Sequence, residues 1–410
     1  MSILRKIISQ TSWQILGKVI TSLSTFLILG IIARNYKEVG IGTFTLALTY
    51  ISIFFLITDF GFNAHVLRKF QISNVKFQIE WQKLLGIRLI WSVILMVLSL
   101  GLLLFLPFNL SFKQAAAFGS LAILGSGVFV TCNLIFQQRL RYDLSTLSSS
   151  IGTLIYLLLV LYFSQNKVPL PYLILGFMAG WVFIGTLSLL FVYPFIKKLW
   201  PVFDTRFIRN LIKDSWPIAA TLVLNVVYFR ADSFLIAFYR NQAEVGVYNL
   251  AYSVFQSVLV LPTFIMNAYY PLMLKSAAGM NKFLPAEVKW VGLGLLGVSS
   301  VATLATLFFS PLVIKILTGG GFSGSSESLQ ILSLGFPAFF LSALFMWILI
   351  SKGEYKKMLA VYMSGLFFNL VLNLLYIPQY SFFAASWTTV ISEYVILIMQ
   401  VAVIGGILVK

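Results

Sequence analysis

The chain has 410 residues, of which 60% are hydrophobic and 10% are charged. Soluble domains are about 25% charged, so this composition excludes a disordered protein and an ordinary cytosolic globular protein. One cysteine and one histidine exclude an intrachain disulfide and any metal site built on several of either residue. In a soluble protein the net charge of +17 would suggest nucleic acid as a partner. Here the basic residues lie in short loops between apolar stretches, so we expect no nucleic acid partner.

Apolar stretches follow one another along the whole chain. A bilayer core about 30 Å thick needs roughly 20 apolar residues per helical crossing, and open strands cannot satisfy their backbone groups in lipid. The pattern therefore predicts an all-α polytopic membrane protein with about 12 transmembrane helices. The predicted spans are 12–33, 41–64, 84–107, 115–137, 145–164, 171–196, 216–239, 246–274, 288–317, 328–350, 358–377 and 382–408.

The distribution of Lys and Arg predicts the orientation in the membrane. With the N-terminus placed in the cytoplasm, the inside segments hold 21 of the 29 Lys and Arg residues, and the outside segments hold five. Cytoplasmic loops are enriched in Lys and Arg. We therefore expect a multi-pass protein of the cell membrane with both termini in the cytoplasm.

The segments between the predicted spans are too short for a soluble domain. The sequence contains no GxxxxGK[ST] phosphate-binding loop, no catalytic triad and no clustered acidic metal site. We expect neither an enzyme nor a cofactor. Transport would be driven by a gradient or by consumption of the substrate elsewhere.

An internal repeat relates the two halves of the chain. Residues 34–40 read RNYKEVG and residues 240–246 read RNQAEVG, with five of seven positions identical. A Ser-Trp pair also opens the first and the seventh predicted spans. Two six-helix repeats in parallel orientation are typical of transporters that bind substrate between the repeats. We predict two six-helix lobes, residues 1–205 and 206–410, around a central cavity.

Polar side chains lie inside four predicted spans, in stripes with helical spacing. Ionisable residues within a membrane are costly and by default indicate function. Arg230 lies in the seventh span beside its stripe. The stripes of the first, second, seventh and eighth spans are Gln14, Lys18, Thr21, Ser22 and Thr25; Thr45, Thr49, Ser52 and Asp59; Thr221, Asn225 and Asp232; and Asn249, Ser253, Gln256 and Ser257.

Structural roles are open for each of these residues. Stripes of Ser, Thr, Asn and Gln often join helices without contacting substrate. Lys18 is close enough to the start of its helix to extend to the membrane surface. Arg230 and Asp232 can pair with neighbours as structural ions. Asp59 can cap the end of its span.

Two groups of motifs, one in each half, carry a resemblance to a known family. The first is IAR at 32–34, then 39–47, TDFG at 58–61 and Arg68. The second is RAD at 230–232, then VGVYNLA at 245–251 and Pro271. In this order they resemble the polysaccharide transporter branch of the multidrug/oligosaccharidyl-lipid/polysaccharide (MOP) exporter superfamily, which includes O-antigen flippases. The chain departs from that family at Lys37-Glu38, where a Gly-Pro-Glu-like turn is usual.

The resemblance implies flipping of undecaprenyl-pyrophosphate-linked oligosaccharide across the cytoplasmic membrane by alternating access. The implied partners are this lipid-linked oligosaccharide, the lipid bilayer and, as candidates, a glycan polymerase or glycosyltransferases. A pyrophosphate needs cations, and sugars need hydrogen-bond partners. We assign Lys18 and Arg230 to the pyrophosphate, Asn225, Asn249 and Gln256 to the sugars, and Asp59, Asp232 and Arg34 to gating or ion coupling.

Two other functions are compatible with the sequence. Cation-coupled multidrug antiporters of the same superfamily also have twelve spans, and Asp59, Asp232 and Glu393 could supply the acidic groups that a cationic drug needs. A membrane scaffold of a glycan assembly complex would transport nothing. Charged residues within corresponding spans of both halves argue against the scaffold.

Overall fold

The computed structural model describes residues 3–63, 66, 77–266, 269 and 285–408. Within these residues every regular element is a helix. Eight helices there are long and apolar enough to cross a membrane, or nine when the bent pair Ser323–Ser333 and Phe336–Ser351 is taken as one span. The predicted all-α polytopic membrane fold is confirmed. Arg68 and Pro271 of the two motif groups lie outside the described residues.

The first half of the chain forms helices α1 to α6, and each predicted span from the first to the sixth falls on one of them. Ile3–Asp59 is helical except at Lys37, whose φ of 60° and ψ of −164° divide it into α1 (3–36) and α2 (38–59). The others are α3 (Phe77–Phe105), α4 (Leu110–Ser120 and Ala122–Arg139, interrupted at Leu121), α5 (Tyr142–Gln165) and α6 (Leu170–Val192).

The second half forms helices α7 to α12. Tyr355–Leu408 is interrupted at Ser381, with φ 53° and ψ −133°, which divides it into α11 (355–380) and α12 (382–408). The helix pair Ser323–Ser333 and Phe336–Ser351 bends by 44°, and Pro337 beside the bend has no backbone N–H to continue the helix. The others are α7 (Thr205–Tyr239), α8 (Gln242–Val258), α9 (Pro285–Thr318) and α10 (Ser323–Ser333 and Phe336–Ser351).

Helix α7 begins earlier than its predicted span at 216–239. The backbone N–H of Phe207 donates to Oδ1 of Asp204 at 3.0 Å, which caps the start of the helix. Leu211 is buried in an apolar cluster while Arg209 and Lys213 are exposed. This first part is therefore amphipathic, and its charges lower the hydropathy on which the span prediction depends.

The chain forms two compact units, Met1–Arg230 and Ala231–Lys410, and the division falls within α7. We call them unit 1 and unit 2. The lobe boundary at residue 205, which the repeat suggested, stays a prediction.

In unit 1, helix α6 approaches α4 and α5 at glycines. A Cβ on Gly125 of α4 would lie 2.4 Å from the carbonyl oxygen of Trp181 in α6. A Cβ on Gly152 of α5 would lie 2.6 Å from the carbonyl oxygen of Gly180. Small residues let membrane helices approach at backbone distance, so these positions fix how α4, α5 and α6 pack.

In unit 2, helices α8, α10 and α12 are joined by aromatic rings and short polar side chains. Phe255 of α8 stacks on Phe336 of α10 with ring centroids 5.3 Å apart. The Ser325 hydroxyl of α10 donates to the Val247 carbonyl of α8 at 2.8 Å. These contacts hold α8 in place, and α8 carries polar residues of the site described next.

Candidate functional site

Asp232 on α7 is the most enclosed carboxylate of the described chain, with 2% of its surface exposed. Its Oδ2 accepts hydrogen bonds from the hydroxyls of Tyr248 at 2.7 Å and Thr389 at 3.2 Å. Its Oδ1 accepts from Nδ2 of Asn373 at 2.6 Å. These three partners come from α8, α12 and α11, and all are neutral.

The hydrogen bonds continue from Asp232 along the facing sides of α11 and α12. Nδ2 of Asn373 also donates to Oδ1 of Asn369 at 2.9 Å, and Nδ2 of Asn369 donates to Oγ of Ser392 at 3.3 Å. The Thr388 hydroxyl donates to Oδ1 of Asn373. We call Asp232, Asn373, Asn369 and Ser392 the polar row.

Helical spacing explains why the members of the polar row meet. Asn369 and Asn373 are four residues apart on α11, as are Thr388 and Ser392 on α12. Residues at this spacing lie on the same helix face. Each helix therefore turns one polar face to the other while apolar residues cover the remaining surface.

The site can hold either a carboxylate or a carboxylic acid at Asp232. A buried charge without a counter-ion is costly unless hydrogen bonds satisfy it. The three donors stabilise the carboxylate, and the Thr389 hydroxyl can rotate to accept a hydrogen bond from the acid. Ionisable residues in this situation within a membrane mark ion or proton pathways.

Unit 1 contains a different buried charge, Arg88 of α3, with 0% of its surface exposed. Its guanidinium donates to the carbonyl of Thr58 and, at 2.7 Å, to Oδ1 of Asn63. It lies 3.4 Å from Oδ1 of Asp59 and 5.2 Å from the centre of the Phe62 ring. Cation–π attraction and charge-assisted hydrogen bonds together hold this cation.

The end of α2 explains why a cation is needed there. Phe60 and Gly61 both have positive φ, 48° and 73°, so the helix stops and its last carbonyls lack helical partners. Arg88 satisfies the Thr58 carbonyl. The expected capping at Asp59 therefore involves an arginine of the next helix. The Asp59 side chain is 36% exposed.

The structure places the predicted cationic site residues in unit 1. The side chains of Lys18 and Arg34 are exposed, and that of Arg230 is half-buried. Within the described part of the chain, Lys18 and Arg230 make no ion pair with a carboxylate. The assignment of Lys18 and Arg230 to the pyrophosphate, and of Arg34 to gating or ion coupling, stays a prediction.

The predicted sugar-binding residues are distributed over both units. Asn225 lies in the part of α7 that belongs to unit 1, and its side chain is outside the described residues. Asn249 is buried in unit 2, where its Oδ1 accepts a hydrogen bond from Ser233 at 2.6 Å. Gln256 is half-buried on the same helix. The structure brings Asn249 next to the segment that carries Asp232. The assignment of Asn225, Asn249 and Gln256 to the sugars stays a prediction.

The repeated turn segments fix helix ends in both units. In unit 1 the Tyr36 hydroxyl donates to the Val168 carbonyl at 2.6 Å, which joins the α1–α2 turn to the α5–α6 turn. In unit 2 Glu244 accepts from Arg240 at 3.2 Å and also from Ser381. This joins the α7–α8 turn to the α11–α12 break.

Sequence reasoning missed several functional candidates that the fold brings together. Asn369 and Asn373 carry the same spacing signal that identified the stripe of the seventh span, and this signal could have found them. Arg88 lies four residues into the predicted span 84–107 and is one of the 21 Lys and Arg residues that the orientation assigns to the inside. No group of three or more His, Cys, Asp or Glu that could hold a metal ion occurs among the described residues.

Family comparisons agree with this helical plan. The family described as "Polysaccharide biosynthesis protein" matches residues 7–277, and the family described as "MatE" matches residues 217–375. A putative O-antigen transporter of Shigella dysenteriae is 23% identical over 82% of this chain and 83% of that protein.

Solved structures of MOP transporters share the fold. The lipid II flippase MurJ in an inward closed conformation has a TM-score of 0.77 and 12% identity, covering 97% of this chain and 87% of MurJ. An inward-facing multidrug resistance MATE family transporter of the MOP superfamily has a TM-score of 0.71 and 14% identity, covering 93% of this chain and 92% of that one. At these identities the likeness concerns the fold alone.

Proposed function

The chain belongs to the polysaccharide biosynthesis protein family, within the MOP superfamily of membrane transporters, and we propose that it flips undecaprenyl-pyrophosphate-linked oligosaccharide from the cytoplasmic to the outer leaflet by alternating access. The family match over residues 7–277 is the observation that carries the substrate class. The Shigella protein's name, putative O-antigen transporter, supports the same class.

The charge of unit 1 supports an anionic head group. Unit 1 carries twenty Lys and Arg residues against six acidic ones, whereas unit 2 carries nine against six. Lys18 and Arg230 lie within predicted spans of unit 1, and the side chain of neither is buried. A pyrophosphate would bind them by charge-assisted hydrogen bonds, while its prenyl chain stays in lipid. Asn225, Asn249 and Gln256 would bind the sugars.

We assign the coupling step to Asp232. The hydrogen-bond donors around the carboxylate are all neutral, so none of them balances its negative charge. Uptake of a proton would remove the energetic cost of burying that charge. Protonation weakens the hydrogen bonds that join α7 to α8, α11 and α12, and loss of the proton strengthens them. A proton gradient would in this way bias the position of α7. Arg34, beside the helix break at Lys37, and Asp59, paired with Arg88, are our gating residues.

The decisive experiment restores export in a host that lacks its own flippase. Its readout is lipid-linked glycan labelled on the outer surface, with and without this chain. Arg230→Ala and Lys18→Ala should abolish the restored glycan at normal protein level, because the pyrophosphate loses its cations. Lys315→Ala is the matched control, since Lys315 is also a cation within a predicted span but lies on α9 of unit 2. Full export by Arg230→Ala would contradict the assigned anion site.

A second candidate function is cation-coupled multidrug antiport. The match of residues 217–375 to the MatE family and the buried Asp232 favour it. Cells that express the chain would then accumulate less of a cationic dye, and surface glycan would be unchanged. A non-transporting scaffold would change neither readout. In a chain without Cys132, cysteines introduced along the α1 stripe at Gln14 and Thr21 would then not react with water-soluble reagents.

A further inference from the structure

The connector between α6 and α7, residues 193–204, carries large aromatic side chains that the protein leaves uncovered. Trp200 is 80% exposed and Phe203 is 60% exposed. Trp216, at the start of the seventh predicted span, is 59% exposed. Trp is enriched where membrane helices meet the lipid headgroups, because its ring is apolar and its N–H is polar. The depth of these rings relative to the bilayer therefore decides what covers them.

Cations lie beside the exposed rings. Residues 193–216 hold five Lys and Arg residues and two Asp residues. Asp204, one of the two acids, is paired with Lys83 of α3 at 2.8 Å. All five cationic side chains of the segment are exposed: Lys197, Lys198, Arg206, Arg209 and Lys213. The segment therefore presents positive charge together with aromatic surface.

The first turns of α7 separate charged from apolar side chains. Arg206, Arg209 and Lys213 follow one another at intervals of three and four residues, so they share one helix face. The opposite face packs into an apolar cluster of unit 1 through Phe207, Ile208, Leu211 and Ile212. A basic amphipathic segment of this kind is typical of a helix that contacts a membrane surface.

The apolar cluster gives the depth of this segment in the membrane. It also contains Leu85, Phe136 and Ile196. Each of these three lies at, or one residue from, the end of a predicted span, on the side that the distribution of Lys and Arg assigns to the cytoplasm. Because Leu211 packs with them, the first turns of α7 lie beside the ends of the spans. The surroundings at this depth are lipid headgroups.

Contacts with α3 hold the connector in this place. The backbone N–H of Val202 donates to the Gln82 carbonyl at 3.0 Å, and Nε2 of Gln82 donates to the Trp200 carbonyl at 3.1 Å. A Cβ on Gly86 would clash with the Val202 carbonyl oxygen, so α3 and the connector approach at backbone distance. These contacts fix the backbone of the connector and leave the rings of Trp200 and Phe203 exposed.

We propose that the connector and the first turns of α7 form a binding surface for anionic phospholipid at the predicted cytoplasmic face of unit 1. Headgroup phosphates bind the Lys and Arg side chains by charge-assisted hydrogen bonds, and the rings of Trp200 and Phe203 lie among the headgroups. A zwitterionic lipid has no net charge, so the surface prefers lipids with a net negative charge. The inference concerns the bilayer and does not rest on the transported substrate.

A folded protein partner fits this surface less well than lipid does. The centres of protein interfaces are depleted of Lys, whereas Lys197 and Lys198 adjoin the exposed rings of the connector along the chain. The surface also lies beside the ends of the spans, where headgroups surround the protein. Charge and depth therefore both favour anionic lipid.

Photocrosslinking of the full-length protein in lipid nanodiscs tests the surface. Benzoylphenylalanine in place of Phe203 would be irradiated in nanodiscs of equal parts phosphatidylglycerol and phosphatidylcholine, and mass spectrometry would identify the crosslinked lipid. Each Lys or Arg near an anionic membrane surface strengthens binding about fivefold. We therefore expect adducts of phosphatidylglycerol to exceed those of phosphatidylcholine by about fivefold or more.

Removal of two cations from the connector should reduce that preference. With Lys197→Gln and Lys198→Gln together, the ratio of the two adducts should fall towards one. Lys356→Gln with Lys357→Gln is the matched control, because it removes the same charge from exposed residues of α11 in unit 2, and it should keep the ratio. High salt should lower the ratio in the labelled protein without further substitution, since salt screens exposed charges.

Each outcome decides the inference. An adduct ratio of one in the labelled protein would overturn it, and so would a ratio that Lys197→Gln with Lys198→Gln leaves unchanged. If that double variant does not fold, the salt series decides, and a ratio that high salt does not lower would overturn the inference. A crosslink from position 203 to a protein in whole cells, instead of to lipid, would replace the lipid with a protein partner. Glycan export has no bearing on these results, because the nanodisc assay involves no transport.

Discussion

The two units use buried charge in opposite ways. Unit 1 buries a cation, Arg88, whose terminal guanidinium nitrogens contact a helix-end carbonyl, an amide oxygen and Asp59. Unit 2 buries two carboxylates, Asp232 and Glu393, and surrounds Asp232 with neutral donors. The repeated segments 34–40 and 240–246 form corresponding turns in the two halves. The two halves therefore share a repeat but differ in the sign of the charge that they bury.

The difference between the two buried charges indicates different roles, structural support for Arg88 and a change of charge state for Asp232. A permanently charged arginine that ties helix ends together stabilises one arrangement, because the guanidinium does not lose its proton in proteins. A carboxylate enclosed by neutral donors can change its charge, and its surroundings respond. We therefore expect substitution of the buried cation of unit 1 to unfold the protein, and substitution of the buried carboxylate Asp232 of unit 2 to stop transport.

Among substitutions of the buried charges, Asp232→Asn is expected to have the largest effect on transport. The amide keeps the shape of the side chain but cannot bind or release the coupling proton, so export should fall about tenfold or more, equivalent to at least about 1.4 kcal/mol of barrier. Surface glycan per molecule of protein in the restored host measures it. Glu327→Gln, which alters an exposed carboxylate of unit 2, should export at the wild-type rate. Normal export by Asp232→Asn would contradict the distinction between a structural charge in unit 1 and a titrating charge in unit 2.

Arg88→Ala should unfold unit 1. It leaves the Thr58 carbonyl and the Asn63 amide oxygen without their donor, and breaking a buried charged network costs about 3–5 kcal/mol. Thermal unfolding of the purified protein in detergent measures the loss as a lower Tm. Asp59→Asn should cost less, because Asp59 is 36% exposed and solvent screens the pair. A larger effect at Asp59 than at Arg88 would mean that the ion pair, and not the helix end, is what Arg88 supports.

Glycine substitutions compare the packing of the two units. Gly125→Ala would place a Cβ 2.4 Å from a backbone oxygen of α6, and such overpacking costs about 1–3 kcal/mol. Gly297→Ala in α9 meets nothing within 4 Å, and alanine is the better helix residue by about 0.5–1 kcal/mol. The Tm should therefore fall in the first variant and rise slightly in the second. Equal effects would show that these contacts do not limit stability.

The smallest expected effect is on the protease sensitivity of residues 193–204, the connector between α6 and α7. Lys83 lies 2.8 Å from Asp204 and holds the pKa of that carboxyl below its ordinary value of 3.8. The pair therefore stabilises the connector at neutral pH and ceases to do so as the pH falls through the lowered pKa. Asp204→Asn should make the connector more sensitive to protease at pH 7, with transport unchanged. At strongly acidic pH the variant and wild type should be cleaved alike, and a difference that persists there would assign the effect to the helix cap.

The sequence by itself determined the number, order and helical nature of the membrane spans. Apolar length and the absence of backbone partners in lipid permit little else, and the repeat and motif order led to the family. It also identified Asp232, since a charge inside an apolar span stands out without any structure.

Only the tertiary structure decided what each polar residue contacts. Helix periodicity tells which residues share a face, but the partner of that face depends on how distant helices pack. Asn373 donates a hydrogen bond to Asp232 across 141 residues of chain. The break at Ser381 follows Pro378 by three residues, but the proline does not tell which helix α12 packs against. The sequence places Arg88 at the start of a predicted span but does not show that α2 ends beside it. Its burial depends on the fold and not on the residue type.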